Sequence, residues 1–258
     1  MLWVSIKMKV KVLASGSKGN TTLVDCGNTK LLIDVGISFL RIKSLLEKEN
    51  VQIDDIDGIL ISHNHSDHIN GLSSFIKKTK IMIYVTDSMF ISLGDIVPIE
   101  RCIIVDDNFS INAVDIELVH TSHDAPASFG FIIEHNNKTL VHITDTGYIN
   151  RKILNRILNK NIYVIESNHD EAMLMDGPYP RFLKERVISD IGHLSNKTTA
   201  SYLKKIVNKD TKYVILAHLS ETNNTKELAV NENQQLVENN NIELLVADQN
   251  DGSKLVEV

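Results

Sequence analysis

The sequence predicts an α/β (α+β) fold in which mixed β-sheets are covered by helices. Three observations carry that expectation. Short β-rich runs alternate with stretches of helical spacing along the whole chain. Several of those runs are paired across hairpin signals. The 258 residues are 43% hydrophobic, enough for one substantial core, and no repeat, low-complexity tract or Pro/Gly linker marks a boundary. A single domain over residues 1–258 is therefore expected, with residues 1–7 as an extension ahead of a start at Met8.

The elements follow in order. Lys9–Ala14, Thr22–Asp25 and Lys30–Asp34 read as strands, the last two joined by Gly27-Asn28 as a tight turn. Ser38 is placed to cap a helix whose apolar positions Phe39, Ile42, Leu45 and Leu46 recur at helical spacing. Val114, Ile116 and Leu118 alternate with Asp115 and Glu117, the pattern of a half-buried strand. Asn136-Asn137 joins Phe129–Glu134 to Thr139–Thr144 as a further hairpin. Ser195 caps a helix carrying Ala200, Leu203, Ile206 and Val207. Lys226–Val237 completes the helices and Glu243–Val246 is a late strand. Gly177-Pro178-Tyr179-Pro180 is a turn or lid, too short for a linker. Helices between hairpin-paired strands imply layered mixed sheets.

Composition excludes some classes. The net charge of −6 argues against a broad basic nucleic-acid footprint, though not against a local one. No run approaches the roughly 18 apolar residues of a membrane span. The N-terminal segment lacks a full apolar core and a small-residue cleavage site, so a cytoplasmic protein is expected. Cys26 and Cys102 are far apart without metal spacing, as reduced core thiols would be.

One stretch resists explanation by packing. Ser62-His63-Asn64-His65-Ser66-Asp67-His68 follows the apolar run Ile59-Leu60-Ile61 and reads H-x-H-x-D-H. Imidazole and carboxylate suit Zn²⁺ and related divalent ions. In a loop leaving a strand, His63 and His65 turn to one side to grip one ion. Asp67 and His68, opening the next helix, are left for a second.

That spacing resembles the metallo-β-lactamase-fold hydrolases. Further phrases, SGSKGN at 15–20, His123-Asp124-Ala125-Pro126, ESNHD at 166–170, GHLSN at 192–196, and Leu219-Ser220 before Asn223-Asn224, are similar to its branch of metal-dependent 5′→3′ DNA exonucleases. The resemblance implies an αββα sandwich, two mixed β-sheets flanked by helices, with metals at one sheet edge. It implies two divalent ions per chain, Zn or Mn, with Fe also compatible. His63, His65 and His123 would take the first ion, Asp67, His68 and His218 the second, and Asp145 both. Asp34 would orient the ligand loop from behind.

The implied reaction is phosphodiester hydrolysis, with nucleic acid, DNA above all, as substrate. Asp67 or Asp145 is the candidate hydrogen-bond partner of the nucleophile, and His193, in a Gly-His turn before a capped helix, or a metal-bound water is the candidate proton donor. Ser15, Lys18, Asn20, His169 and Asn223 are candidate substrate contacts. The 15–20 loop reads equally as an anion-binding nest or a plain turn, and His169 equally as substrate contact or structural group. His120, His135 and His142 read as structural, and Arg181, Lys184 and Arg186 as a solvated helix face. A small-molecule or cyclic-nucleotide phosphodiesterase, or an RNA-processing nuclease, is the alternative; a non-catalytic metal-binding regulator is a weaker one. Too few residues follow His218 for a thioesterase's helical region, and too few separate Asp145 from His218 for an inserted nuclease domain.

Overall fold

The computed structural model describes residues 7–258, so most of the proposed N-terminal extension lies outside it. The chain forms two seven-stranded sheets. The first begins with β1 (Lys9–Ala14), β2 (Thr21–Asp25) and β3 (Lys30–Ile33), paired antiparallel, and continues in parallel through β4 (Gly58–Leu60), β5 (Met82–Val85) and β6 (Cys102–Ile104). The second begins with the antiparallel β7 (Asn108–Ile111), β8 (Val114–His120), β9 (Phe129–His135) and β10 (Lys138–Ile143). It continues in parallel through β11 (Ile162–Glu166), β12 (Tyr213–Ala217) and β13 (Glu243–Val246). The final strand, β14 (Val256–Glu257), returns to pair antiparallel with β1.

The helices are α1 (Phe39–Lys48), α2 (Ser66–Ile69), α3 (Leu72–Lys78), α4 (Asp87–Leu93), α5 (Arg151–Arg156), α6 (Glu171–Asp176), α7 (Arg181–Val187), α8 (Asn196–Ile206) and α9 (Lys226–Asn240). Ser38 caps α1 by accepting from Arg41 N, and Ser195 caps α8 by accepting from Thr198 N, satisfying first-turn donors that lack helical partners. Phe39, Ile42, Leu45 and Leu46 are the buried stripe of α1, as their spacing predicts.

One apolar cluster runs from Val10 and Leu32 of the first sheet to Ile133 and Ile215 of the second, so the facing sides of both sheets share a core. A second cluster, with Val141, Tyr163 and Leu216, lies under α5, α8 and α9 on the outer side. Because β11 and β12 are covered on both faces, they read as continuous apolar runs rather than alternating ones. The hairpin after β9 has Asn136 and Asn137 both at positive φ, as a turn matched to the strand twist requires.

The third strand departs from expectation at its last residue. Asp34 is not part of β3; it turns to φ 59°. Asp145 (φ 55°) and His218 (φ 58°) do the same just beyond β10 and β12. In each case a strand ends and a left-handed residue re-aims the chain at the same edge of the sandwich. Asp and His tolerate that conformation better than branched residues.

Candidate metal centre

Seven side chains named from the sequence converge at that edge. His63, His65 and His123 bring ligand atoms within 4.8 Å of one another; so do Asp67, His68 and His218, and so do His63, His68 and Asp145. The spacing is informative. Four ligands at 2.0–2.1 Å around one ion form a tetrahedron with edges of about 3.3 Å. His65 Nδ1 lies 3.2 Å from His123 Nε2. On the other side, Asp67 Oδ2 is 3.4 Å from His68 Nε2 and 3.5 Å from His218 Nε2. Asp145 Oδ2 is 3.3 Å from His68 Nε2, while its Oδ1 is 3.3 Å from His218 Nε2 and 3.9 Å from His123 Nε2. His63 Nε2 and Asp145 Oδ2 are buried with no hydrogen-bond partner. Orphaned buried polar atoms are rare in folded proteins. These fit a pair of divalent cations.

In four of the five imidazoles the other nitrogen is held by a hydrogen-bond partner, while His65 Nε2 has only Asp124 Oδ1 at 3.7 Å. His68 Nδ1 donates to Asp34 Oδ2 at 2.7 Å, and His63 Nδ1 to Ser62 Oγ at 3.0 Å, with Ser62 Oγ donating in turn to Asp34 Oδ2 at 2.8 Å. His218 Nδ1 donates to Glu166 Oε1 at 3.0 Å, and His123 Nδ1 faces Gly192 O at 3.3 Å. Such outer partners fix the tautomer and keep the inward nitrogen free for a cation.

The backbone brings three loops together. Asn20 N donates to Asp67 O, Gly36 N to Asn20 O and Val35 N to His68 O. Gly36 is required by this contact: a Cβ there would lie 1.7 Å from Asp67 O.

The charges ask for a cation. Burial pushes the Asp145 carboxyl upward, but His218 and His68 more than offset this and hold it well below the carboxylate range. Burial disfavours charge on His68, yet Asp145 and Asp34 raise its pKa well above the imidazole value. Burial, with the neighbouring His68, holds His63 well below the imidazole value despite Asp145 beside it.

Glu166 is the residue the sequence reading passed over. It ends β11 fully buried. Its Oε1 accepts from His193 Nδ1 at 2.7 Å as well as from His218, and Oε2 accepts from Thr146 N and Leu194 N at 3.1 Å. Burial opposes its charge, but His193 and His218 bring its pKa down to about 2. A lone carboxylate closing the apolar run Tyr163-Val164-Ile165 was the available signal. His193 itself lines the pocket beside Asp145. Burial works against its protonation, yet the Glu166 carboxylate raises its pKa above the usual imidazole value.

The candidate substrate residues part company. Asn223 lines the pocket and its buried Oδ1 has no partner. Ser15 faces inward, its Oγ accepting from His218 N at 2.7 Å. Asn20 Nδ2 donates to Asp67 Oδ2 at 3.1 Å. Lys18 pairs with Glu221 at 2.6 Å. His169 is buried, its backbone bridging Ser195 and its Nδ1 without a partner. The 15–20 loop is a tight turn and not a nest: the N–H groups of Gly16, Lys18 and Gly19 already donate to Asn20 Oδ1, Gln249 Oε1 and Gly16 O. His142 packs against Thr22 Oγ1, His135 Nδ1 donates to Ala113 O, and His120 pairs with Asp107 at the surface.

Arg186 is solvent-exposed, as the helix-face reading expects, but it also has a partner at the pocket. It pairs with Asp124 at 2.5 Å and lines the pocket with Tyr179 and Leu183. The i,i+3/i+4 geometry of a short helix sets Leu183, Arg186 and Val187 on the side that meets the pocket, with Val187 buried and Arg186 at the exposed rim, while Arg181 lies away from it.

With this geometry in place, known proteins agree. The model of the β-lactamase superfamily domain matches residues 23–219. The chain is 37% identical over 223 residues to exodeoxyribonuclease YycJ of Bacillus anthracis, covering 84% of each chain. It is 37% identical over 231 residues to exodeoxyribonuclease WalJ of Streptococcus pneumoniae, covering 87% of this chain and 86% of that one. The crystal structure of the metallo-β-lactamase fold protein YhfI from Bacillus subtilis superposes with a TM-score of 0.73 over 98% of this chain and 100% of that one, at 16% identity. The chain therefore belongs to the β-lactamase superfamily, within the group of the YycJ and WalJ exodeoxyribonucleases.

Proposed function

We propose that the chain is a two-metal phosphodiesterase that shortens DNA from an end in the 5′→3′ sense. The observation that carries the chemistry is the set of ligand-to-ligand distances, 3.2 Å in the first group and 3.3–3.5 Å in the second, with Asp145 also 3.9 Å from His123, which supports two cation sites on either side of Asp145. Likeness to the two exodeoxyribonucleases supports DNA as the substrate, and the 5′→3′ sense is what the resemblance noted in the sequence implies.

His63, His65 and His123 would hold one ion and Asp67, His68 and His218 the other, Zn or Mn serving these donors, with Asp145 between them. Bound there, divalent ions supply an activated water and neutralise phosphate charge. Asp67, at the pocket wall, accepts a hydrogen bond from the attacking water and so orients it. Glu166 fixes His193 with Nδ1 protonated, leaving Nε2 as the nitrogen toward the pocket. From Nε2 a protonated ring donates to the departing oxygen. Asn223 Oδ1 and Asn168, both at the pocket, are placed to contact the substrate's sugar or base. Two free thiols, Cys26 and Cys102, suit a reducing cytoplasm.

The test is a substrate panel. With Zn²⁺ or Mn²⁺, purified protein is expected to release nucleotides from 5′-phosphorylated linear DNA and to hydrolyse bis-p-nitrophenyl phosphate, with no measurable opening of a β-lactam or of S-lactoylglutathione. Efficient thioester hydrolysis with inert DNA would overturn the reading.

A further inference from the structure

The pocket holding the metal ligands has a volume of about 220 Å³. That is small for a ligand site and admits only the end of a polymer. The rest of a bound strand must run over the rim. On one side that rim is α7 with the Gly177–Pro180 turn before it, and α7 is basic and carries an exposed aromatic. The chain carries a net charge of −6, yet the seven residues of α7 hold Arg181, Lys184 and Arg186 against the single acid Glu185. Leu183, Arg186 and Val187 face the pocket together with Tyr179. Between them, Phe182 stands 72% exposed, the most exposed large hydrophobic side chain among the described residues. Folding gains nothing from such a ring in water.

Phe182 and Arg186 are four residues apart on one helix and are neighbours on its surface. An aromatic face beside a guanidinium matches one nucleotide step: a base for the ring, a phosphate for the fork. Duplex DNA offers no free base face at such a platform, whereas an unpaired strand does.

We propose that α7 guides a single-stranded DNA end into the pocket, with Phe182 stacking on a base and Arg186 exchanging Asp124 for a neighbouring phosphate. This rests on the phosphodiesterase reading above, and Tyr179 at the pocket edge would extend the same stacking surface. Arg186 is the one Lys or Arg among the pocket-lining residues, and its present partner, Asp124, leaves Oδ1 buried without a hydrogen bond.

The experiment compares Phe182→Ala and Phe182→Trp with the parent enzyme loaded with its metals. The substrates are a 5′-phosphorylated single-stranded oligodeoxynucleotide, the same sequence as a blunt duplex, and bis-p-nitrophenyl phosphate. Stacking on an aromatic is worth about 1–3 kcal/mol per base, so Phe182→Ala is expected to lower kcat/KM for the single strand, relative to bis-p-nitrophenyl phosphate, roughly 5- to 100-fold. The loss should lie in KM, and Phe182→Trp should restore it. Arg186→Gln is expected to flatten the dependence of log KM on log salt by about 0.7, one phosphate contact on a single strand. An unchanged single-strand to bis-p-nitrophenyl phosphate ratio in Phe182→Ala would overturn the proposal, as would an equal loss on the blunt duplex. Parent enzyme inactive on every phosphodiester would instead sink the activity on which the proposal stands.

Discussion

At the scale of single residues, the centre divides into atoms that grip and atoms that hold the grippers. Asp145 reaches toward both ligand groups, whereas His63 belongs chiefly to the first. Asp145→Ala is therefore expected to deplete both ions and His63→Ala mainly one, as metal analysis of purified variants would read; two ions retained in Asp145→Ala would refute the shared role. His193 lies outside the ligand set. His193→Ala should keep its metals while slowing DNA cleavage about 10²- to 10⁴-fold, with a smaller loss on p-nitrophenyl esters, whose leaving group needs little protonation. The sign of the pH effect follows from Glu166. Its carboxylate raises the His193 pKa, so the proton donor persists above the ordinary imidazole range and activity falls as pH rises through that raised value. Glu166→Gln removes the charge and should move this alkaline limb to lower pH in a pH–rate profile. The H-x-H-x-D-H stretch at 63–68 was legible as a cation site from its residue types alone, whereas His123, Asp145 and His218 were placed beside it by resemblance to the family. Glu166 was not legible, because nothing local to residues 162–170 shows that two histidines from other elements will close on it.

Elements carry the next level of information. The hairpins and capped helices were readable since their causes are local: paired Asn residues at positive φ, a Ser before a periodic run. What positions the site is non-local. Gly36 is the clearest case, since the backbone of Asp67 occupies the space of its missing side chain. Gly36→Ala must push apart the loops carrying Asp34 and Asp67. A cost of about 3 kcal/mol is expected for such overpacking, or roughly 6–12 °C in Tm. Calorimetry and metal content would check it, and an unshifted Tm with full metal would show that the loop yields freely. The pairing of Arg186 with Asp124 at the pocket rim was hidden for the same reason. A spacing of three and two along a helix says which residues diverge, but not which side meets a pocket built from other strands.

On the scale of the whole molecule, the two sheets share one core, and the metal edge is where their strand-end loops meet without apolar filling. The buried carboxylates Asp145 and Glu166 and the imidazoles around them sit at that seam. Ions that bind only the folded arrangement stabilise it by mass action, about 2.7 kcal/mol per site at a free concentration of 100 times Kd. Stripping both with a chelator should lower Tm by roughly 11–22 °C for a chain of this size, reversibly on adding Zn²⁺ or Mn²⁺. A Tm indifferent to chelation would mean that the seam is stable without cations. Among the described residues no helix is long and apolar enough to cross a membrane.

The left-handed turns at Asp34, Asp145 and His218 have a consequence for how such a sequence ages. A non-glycine residue held at positive φ costs on the order of 1–2 kcal/mol of backbone energy, and here it is spent three times at one edge. At 34 folding itself asks for the carboxylate, since Asp34 Oδ1 accepts from the buried Ser62 N at 2.8 Å. At 145 and 218 glycine would suit the backbone better, and there the side chains serve the centre. A gene copy released from the need to cut phosphodiesters would therefore drift first toward Gly or Asn at 145 and 218, while its core, hairpins and Asp34 stayed intact. Those two positions become a record of use, distinguishing working copies of this fold from retired ones before any assay is run.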